Sequence, residues 1–152
     1  MVVKVTIRAA SARDEAAIAS LVRGERMNPF DLDWRRFLVA MDARGVAGAV
    51  QMRHHFDGSR ELGSLVVRPD ARRQGIAARL IDALMLFARG RVYMITGARF
   101  AGHYAHWGFA PVPPASAPVG ILRNYVLGRV AGLVSRVTGR RPNSLAVLAR
   151  TK

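Results

Sequence analysis

Apolar and polar positions change their period along this chain, and the changes mark its elements. Residues 4–8, Lys-Val-Thr-Ile-Arg, alternate and predict a first strand. Ser11 suits a helix N-cap, and Asp14 and Glu15 suit the positive end of a helix over 12–23. Ala16, Ile18, Leu21 and Val22 would form its core face. Asn28-Pro29 breaks the chain, and a short helical turn is expected within 31–36. Strands follow at 37–41 and 46–54, joined by Asp42-Ala43-Arg44-Gly45, and again at 61–67 after Asp57-Gly58. A helical period then runs from Arg73 to Arg89, with Ile76, Leu80, Ile81, Leu84 and Phe87 on one face and Arg79 and Asp82 away from it. Residues 92–96 are a short β-rich run, 99–107 a short helix closed by Gly108, and 109–112 a strand. Beyond a proline-rich connection, a long helix over 122–138 is expected to bury Leu122, Tyr125, Val126, Val130, Leu133, Val134 and Val137. A last strand is expected at 144–149.

The order is β-α-(α)-β-β-β-α-β-α-β-α-β. Consecutive early hairpins imply an antiparallel half, and the strand-helix-strand passage through 61–96 implies a right-handed parallel crossover. The fold class is mixed α/β, as a single domain over residues 1–152, with no internal repeat.

Composition narrows the chemistry. The chain has no cysteine, which excludes disulfides, zinc-thiolate sites and a cysteine nucleophile. Its four histidines lack carboxylates at helical ligand spacing, so no metal is expected. The opening residues lack the apolar core of a signal peptide, and the longest charge-free stretch, 100–122, holds four prolines and two histidines. A cytoplasmic protein without a membrane span is the expectation. The formal charge is +14, and no Asp or Glu follows Asp82. That asymmetry favours anionic partners, whether a phosphorylated cofactor, nucleic acid, an acidic protein or a membrane surface.

The informative segment is Leu65-Val66-Val67-Arg68-Pro69-Asp70-Ala71-Arg72-Arg73-Gln74-Gly75-Ile76-Ala77. A strand ends at a proline, the chain turns, and a helix begins at arginines with a glycine in its first turn. The first amides of a helix have no intrahelical acceptor, and with the helix dipole they form an anion site that Gly75 lets a ligand approach closely. Neither a Walker loop nor a Gly-x-Gly-x-x-Gly dinucleotide pattern is present.

Arg72-Arg73-Gln74-Gly75-Ile76-Ala77 resembles the Arg/Gln-x-x-Gly-x-Gly/Ala signature of the GCN5-related N-acetyltransferase superfamily. The resemblance implies that Arg72, Arg73, Gln74, Gly75, Ile76 and Ala77 cradle the pyrophosphate of acetyl-coenzyme A. It also implies a mostly antiparallel sheet whose fourth and fifth strands run parallel and splay to admit the pantetheine. His103-Tyr104-Ala105-His106-Trp107-Gly108-Phe109 is similar to the family's Tyr-x-x-x-Gly-Phe segment, which implies Tyr104 as the acid that protonates the departing thiolate. The amides of Leu65, Val66 and Val67 are the expected oxyanion donors.

An ammonium acceptor must lose a proton before it attacks, which calls for a base. Glu61, eleven residues before Arg72, is the candidate, with His54, His55 and water as rivals and a solvated strand-end charge as the bland alternative. Period-two alternation would put Glu61, Gly63, Leu65 and Val67 on one face. The family's asparagine before the tyrosine helix is absent, and Gly97-Ala98-Arg99 stands there.

The expected function is transfer of acetyl from acetyl-coenzyme A to an amine of a small molecule or a protein. Asp31 and Asp33 are available to attract a cationic acceptor. Three rivals remain: a basic nucleic-acid-binding module, an amphipathic membrane-surface helix near the C-terminus, and an acyl-coenzyme A sensor without turnover. A homodimer is compatible with all of them.

Overall fold

The computed structural model describes residues 4–137 and 144–151, with side chains in the long C-terminal helix described as far as Val134. The chain forms two compact units. One comprises the residues up to Arg53 together with Gly63–Ala88, the other His54–Leu62 together with the residues from Arg89 onward.

In the first unit, β1 (Thr6–Ala9) pairs antiparallel with β2 (Phe37–Asp42), and β2 with β3 (Gly45–His54). Between β1 and β2 a 3₁₀ turn leads into α1 (Glu15–Gly24). The turn is fixed by Asp14, whose carboxylate accepts from the Ser11 N–H at 2.7 Å and from Arg8 through both oxygens. Ile18 and Val22 of α1 pack on Phe37, Val39, Ala49 and Val66. The later half of β4 (Arg60–Val67) leads to α2 (Ile76–Phe87). A Cβ at Gly48 of β3 would stand 2.9 Å from the Val66 carbonyl oxygen and 3.2 Å from Ile76 and Leu80, so only glycine lets α2 sit so close. Ile76, Leu80, Ile81 and Leu84 are buried as the period requires. Phe87 shares their face by period but is the last helical residue, and it is exposed.

The second unit holds β5 (Val92–Gly97), a 3₁₀ helix (Ala98–Trp107), β6 (Phe109–Val112), α3 (Val119–Val137) and β7 (Leu145–Arg150). β7 pairs antiparallel with both β5 and β6. The start of β4 pairs parallel with β5 at Glu61↔Tyr93 and Leu62↔Met94. The hydrogen-bonded strand order is therefore β1-β2-β3-β4-β5-β7-β6, a mostly antiparallel seven-stranded sheet with the expected parallel β4/β5 pair.

The long helix departs from expectation on two counts. It starts at Val119, because the Leu122 N–H already finds the Pro118 carbonyl. It also buries only part of the expected set. Tyr125 is buried and Leu122 half-buried with Ile121 against Tyr93, Val147 and Ala149, as expected of the first two, whereas Val126, Val130, Leu133 and Val134 are exposed. Apolar residues occur on the docked and the outward sides alike, so hydrophobic period alone cannot choose the inner side. Glycines mark the close approaches: a Cβ at Gly128 would meet Leu145 at 2.8 Å, and one at Gly120 would meet the His55 Cβ at 2.5 Å. Val137, also expected in the core, lies outside the described side chains.

Candidate active site

The loop expected to bind an anion lies wholly in the first unit. β4 ends at Val67, Pro69–Ala71 make a single 3₁₀ turn, and α2 starts after Gly75. Arg73 (φ +61°) and Gly75 (φ +72°) are both left-handed, with Gln74 between them. The first intrahelical bond runs from the Arg79 N–H to the Gly75 carbonyl, which leaves the preceding amides of the first turn without intrahelical acceptors. A Cβ built on Gly75 meets nothing within 4 Å, so space lies open before the backbone there. A diphosphate fits these residues in charge and in room. Ile76 is buried, Ala77 half-buried, and Arg72, Arg73 and Gln74 are exposed.

Arginines brace the loop from behind. Arg68 donates to Asp42 at 2.6 Å and to Asp70 at 2.5 Å, and Arg44 also reaches Asp70. Arg72 donates to the Val67 carbonyl at 3.1 Å and pairs with Glu25 at the end of α1. The side chain of Arg72 is thus occupied by the scaffold.

Along β4 the alternation of burial breaks at Glu61 and Leu62, which are both buried, and the backbone departs from an ordinary strand at Ser64. Ser64 has φ +51°, and its hydroxyl accepts from Gln51 and Arg53 at 2.9 Å each. A Cβ on Gly63 would meet the same Arg53 guanidinium at 2.7 Å. From Leu62 onward burial alternates, with Gly63, Leu65 and Val67 half-buried between buried Leu62, Ser64 and Val66. Glu61, buried like Leu62, is the residue that departs from the expected burial pattern of Glu61, Gly63, Leu65 and Val67. A left-handed non-glycine residue in mid-strand costs on the order of 1 kcal/mol or more, and here the buried Gln51 and Arg53 side chains hold it in place.

Glu61 and Tyr104 both belong to the second unit. Glu61 is only 3% exposed, which overturns the solvated strand-end reading. Its Oε2 lies 2.8 Å from His55 Nε2 and accepts from Asn124 Nδ2 of α3 at 3.0 Å. His55 is itself nearly buried and is a partner of Glu61, while His54 is exposed. Asp57, on the same hairpin, accepts from the Ser59 hydroxyl at 2.6 Å, the Gly120 N–H at 2.8 Å and the Ser59 N–H at 3.0 Å. The Ser59 hydroxyl and these amides lower its carboxyl to about 2. One hairpin carboxylate thus caps the first turn of α3, and one α3 side chain holds Glu61.

Tyr104 sits on the 3₁₀ helix, which closes at left-handed Gly108 as expected. Its ring is half-buried, in edge contact with His103 and tilted against Trp107. Burial raises its phenol above the usual value, and a hydrogen bond with Thr96 offsets this in part. The group is a protonated donor at neutral pH. Asp31 and Asp33 are less available than expected: Arg36 stands 3.6 Å from Asp31, and Asp33 caps the turn at the Arg35 N–H.

Sequence reading missed Asn124, Ser64, Gln51 and Thr96. The polar residues Gln51 and Ser64 interrupting apolar strands were a usable signal. Asn124 offered none, because only the docked side of α3 brings it to Glu61.

The strand-loop-helix belongs to a known class. Residues 33–111, more than half of the chain, match the family model of the acetyltransferase (GNAT) domain, and the chain is a member of that family. Among solved structures it is similar to Mycobacterium tuberculosis Rv2747 in complex with CoA and NLQ, at 20% identity and TM-score 0.72, covering 97% of this chain and 99% of that one. It is also similar to N-acetylglutamate synthase from Neisseria gonorrhoeae complexed with coenzyme A and N-acetyl-glutamate, at 20% identity and TM-score 0.70. That match covers 97% of this chain but only 35% of the synthase, so the chain spans about a third of that protein. A Bacillus cereus GNAT-family acetyltransferase matches at 14% identity and TM-score 0.66 over 98% of both chains. No curated protein sequence matches the chain.

Proposed function

We propose that this acetyltransferase-family protein moves an acetyl group from acetyl-coenzyme A to a primary amine by direct attack in a ternary complex. The observation that carries the reading is the loop from Val67 to Ile76, with left-handed Arg73 and Gly75 opening α2 and free space before Gly75. Coenzyme A is the ligand named with two of the similar structures, which supports the same choice.

The thioester supplies an activated acetyl carbon and a thiolate leaving group. The chain's own residues do the rest. The first-turn amides of α2 and the Arg73 and Gln74 backbone would take the diphosphate. The β4 amides of Leu65, Val66 and Val67 are the candidate donors for the carbonyl oxygen as it gains charge. Removing a proton from an alkyl ammonium at pH 7 costs about 4–5 kcal/mol, and Glu61, oriented by His55 and Asn124, is the proposed base. The amine nitrogen then bonds the acetyl carbon as the carbon–sulfur bond breaks, and the Tyr104 hydroxyl gives its proton to the sulfur.

Calorimetric titration with acetyl-coenzyme A, beside a Gly75→Glu variant, tests the reading. Saturable one-to-one binding that the variant loses supports it. Absence of binding by the unmodified protein sinks it.

A further inference from the structure

The outward side of α3 is a surface that acetyl transfer does not explain. On a helical projection Val126, Leu127, Val130, Leu133 and Val134 fall within one arc of about 120°, opposite the docked Ile121, Tyr125 and Gly128. Their exposures run from 48% to 64%. A contiguous exposed apolar patch marks a contact with something else.

Charge decides what that contact is. The unit that carries α3 has eleven Arg and Lys residues and two carboxylates, Asp57 and Glu61. Both carboxylates are engaged internally, by Ser59 with Gly120 and by His55 with Asn124. Arg123 projects within the same arc at its N-terminal end, one turn before Leu127, and Arg129 lies beside it; both are exposed, and Arg129 donates to the Tyr125 hydroxyl at 3.3 Å. The covering surface must therefore be apolar within and anionic at its rim. A second copy would bring two strongly cationic units face to face. Nucleic acid satisfies the charge but has no aliphatic interior to receive five valine and leucine side chains. An anionic bilayer satisfies both demands. No helix among the described residues is long and apolar enough to cross a membrane, so α3 would lie in the interface plane.

We propose that α3 docks the protein onto an anionic lipid surface. Val126, Leu127, Val130, Leu133 and Val134 enter the acyl boundary, and Arg123 and Arg129 face the headgroup phosphates. This surface stands independently of the acetyl-transfer reading.

Flotation of the full chain with vesicles tests it, using phosphatidylcholine alone and an equal mixture with phosphatidylglycerol. Binding to the mixed vesicles is expected, weakened by salt and at least about tenfold weaker on neutral vesicles. A Val130→Glu/Leu133→Glu variant should lose about tenfold or more of that binding while keeping its melting temperature and its response to acetyl-coenzyme A, since both side chains are exposed. The proposal is overturned if mixed vesicles are not bound, if both vesicle types bind equally, or if the double variant binds unchanged. It is equally overturned if sedimentation shows a dimer that the double variant dissolves, because a second copy then covers the helix.

Discussion

The imidazole of His55 and the carboxylate of Glu61 meet at 2.8 Å, both nearly out of solvent, and Asn124 reaches the same carboxylate oxygen at 3.0 Å. A carboxylate fixed from two sides cannot swing to solvent, so its remaining oxygen has a defined direction. Replacing Glu61 by Gln keeps the shape and removes the base. Turnover should fall by about 10²–10³-fold with acetyl-coenzyme A affinity unchanged. Steady-state kinetics beside calorimetry check this; unchanged turnover removes Glu61 from the mechanism.

Tyr104 should act only while protonated. Its phenol is raised by burial, so the active form persists through neutral pH and is lost as pH climbs past that raised value. Tyr104→Phe should lower turnover by about 10–100-fold and should abolish any alkaline fall that the unmodified enzyme displays. A pH–rate profile of both proteins decides it. An alkaline limb that survives in the variant belongs to another group.

Acid stability should depend on Asp14. Arg8 and the Ser11 hydrogen bonds hold its carboxyl at about 2, below the ordinary 3.8. A depressed folded value stabilises above the unfolded one and is lost as pH falls from about 4 toward 2. With Arg8 partly solvated, the contribution at neutral pH is about 1–2 kcal/mol. Asp14→Asn should flatten the loss of stability over that window, as denaturant melts at pH 6 and pH 3 would reveal.

Gly48→Ala should destabilise the first unit. The new methyl would lie 2.9 Å from the Val66 carbonyl oxygen, which cannot retreat without moving β4. A cost of about 1–3 kcal/mol is expected, read as a lower denaturant midpoint. Gly75→Ala has open space instead but a φ of +72°, so its smaller penalty comes from the backbone alone.

Much of this fold was legible because its elements carry clear periods. The strands at 37–42, 45–54 and 60–67 and the helix after Gly75 fall within a few residues of expectation. The loop was legible because Arg-Arg-Gln-Gly-Ile-Ala fixes both a turn and a helix start. What escaped was set by tertiary contact. The left-handed backbone at Ser64 accompanies Gln51 and Arg53 reaching one hydroxyl, and nothing in the local pattern of β4 announces it. The close approaches of α3 fall at Gly120 and Gly128, residues that a hydrophobicity pattern counts as blanks.

The tethering of Arg68 and Arg72 to Asp42, Asp70 and Glu25 has a kinetic consequence. The turn they brace is shaped by ion pairs within the protein, so an arriving anion finds its donors already arranged. Little conformational entropy is left to lose on capture, and association should be governed by diffusional encounter with the exposed Arg73 side of the loop rather than by a slow ordering step.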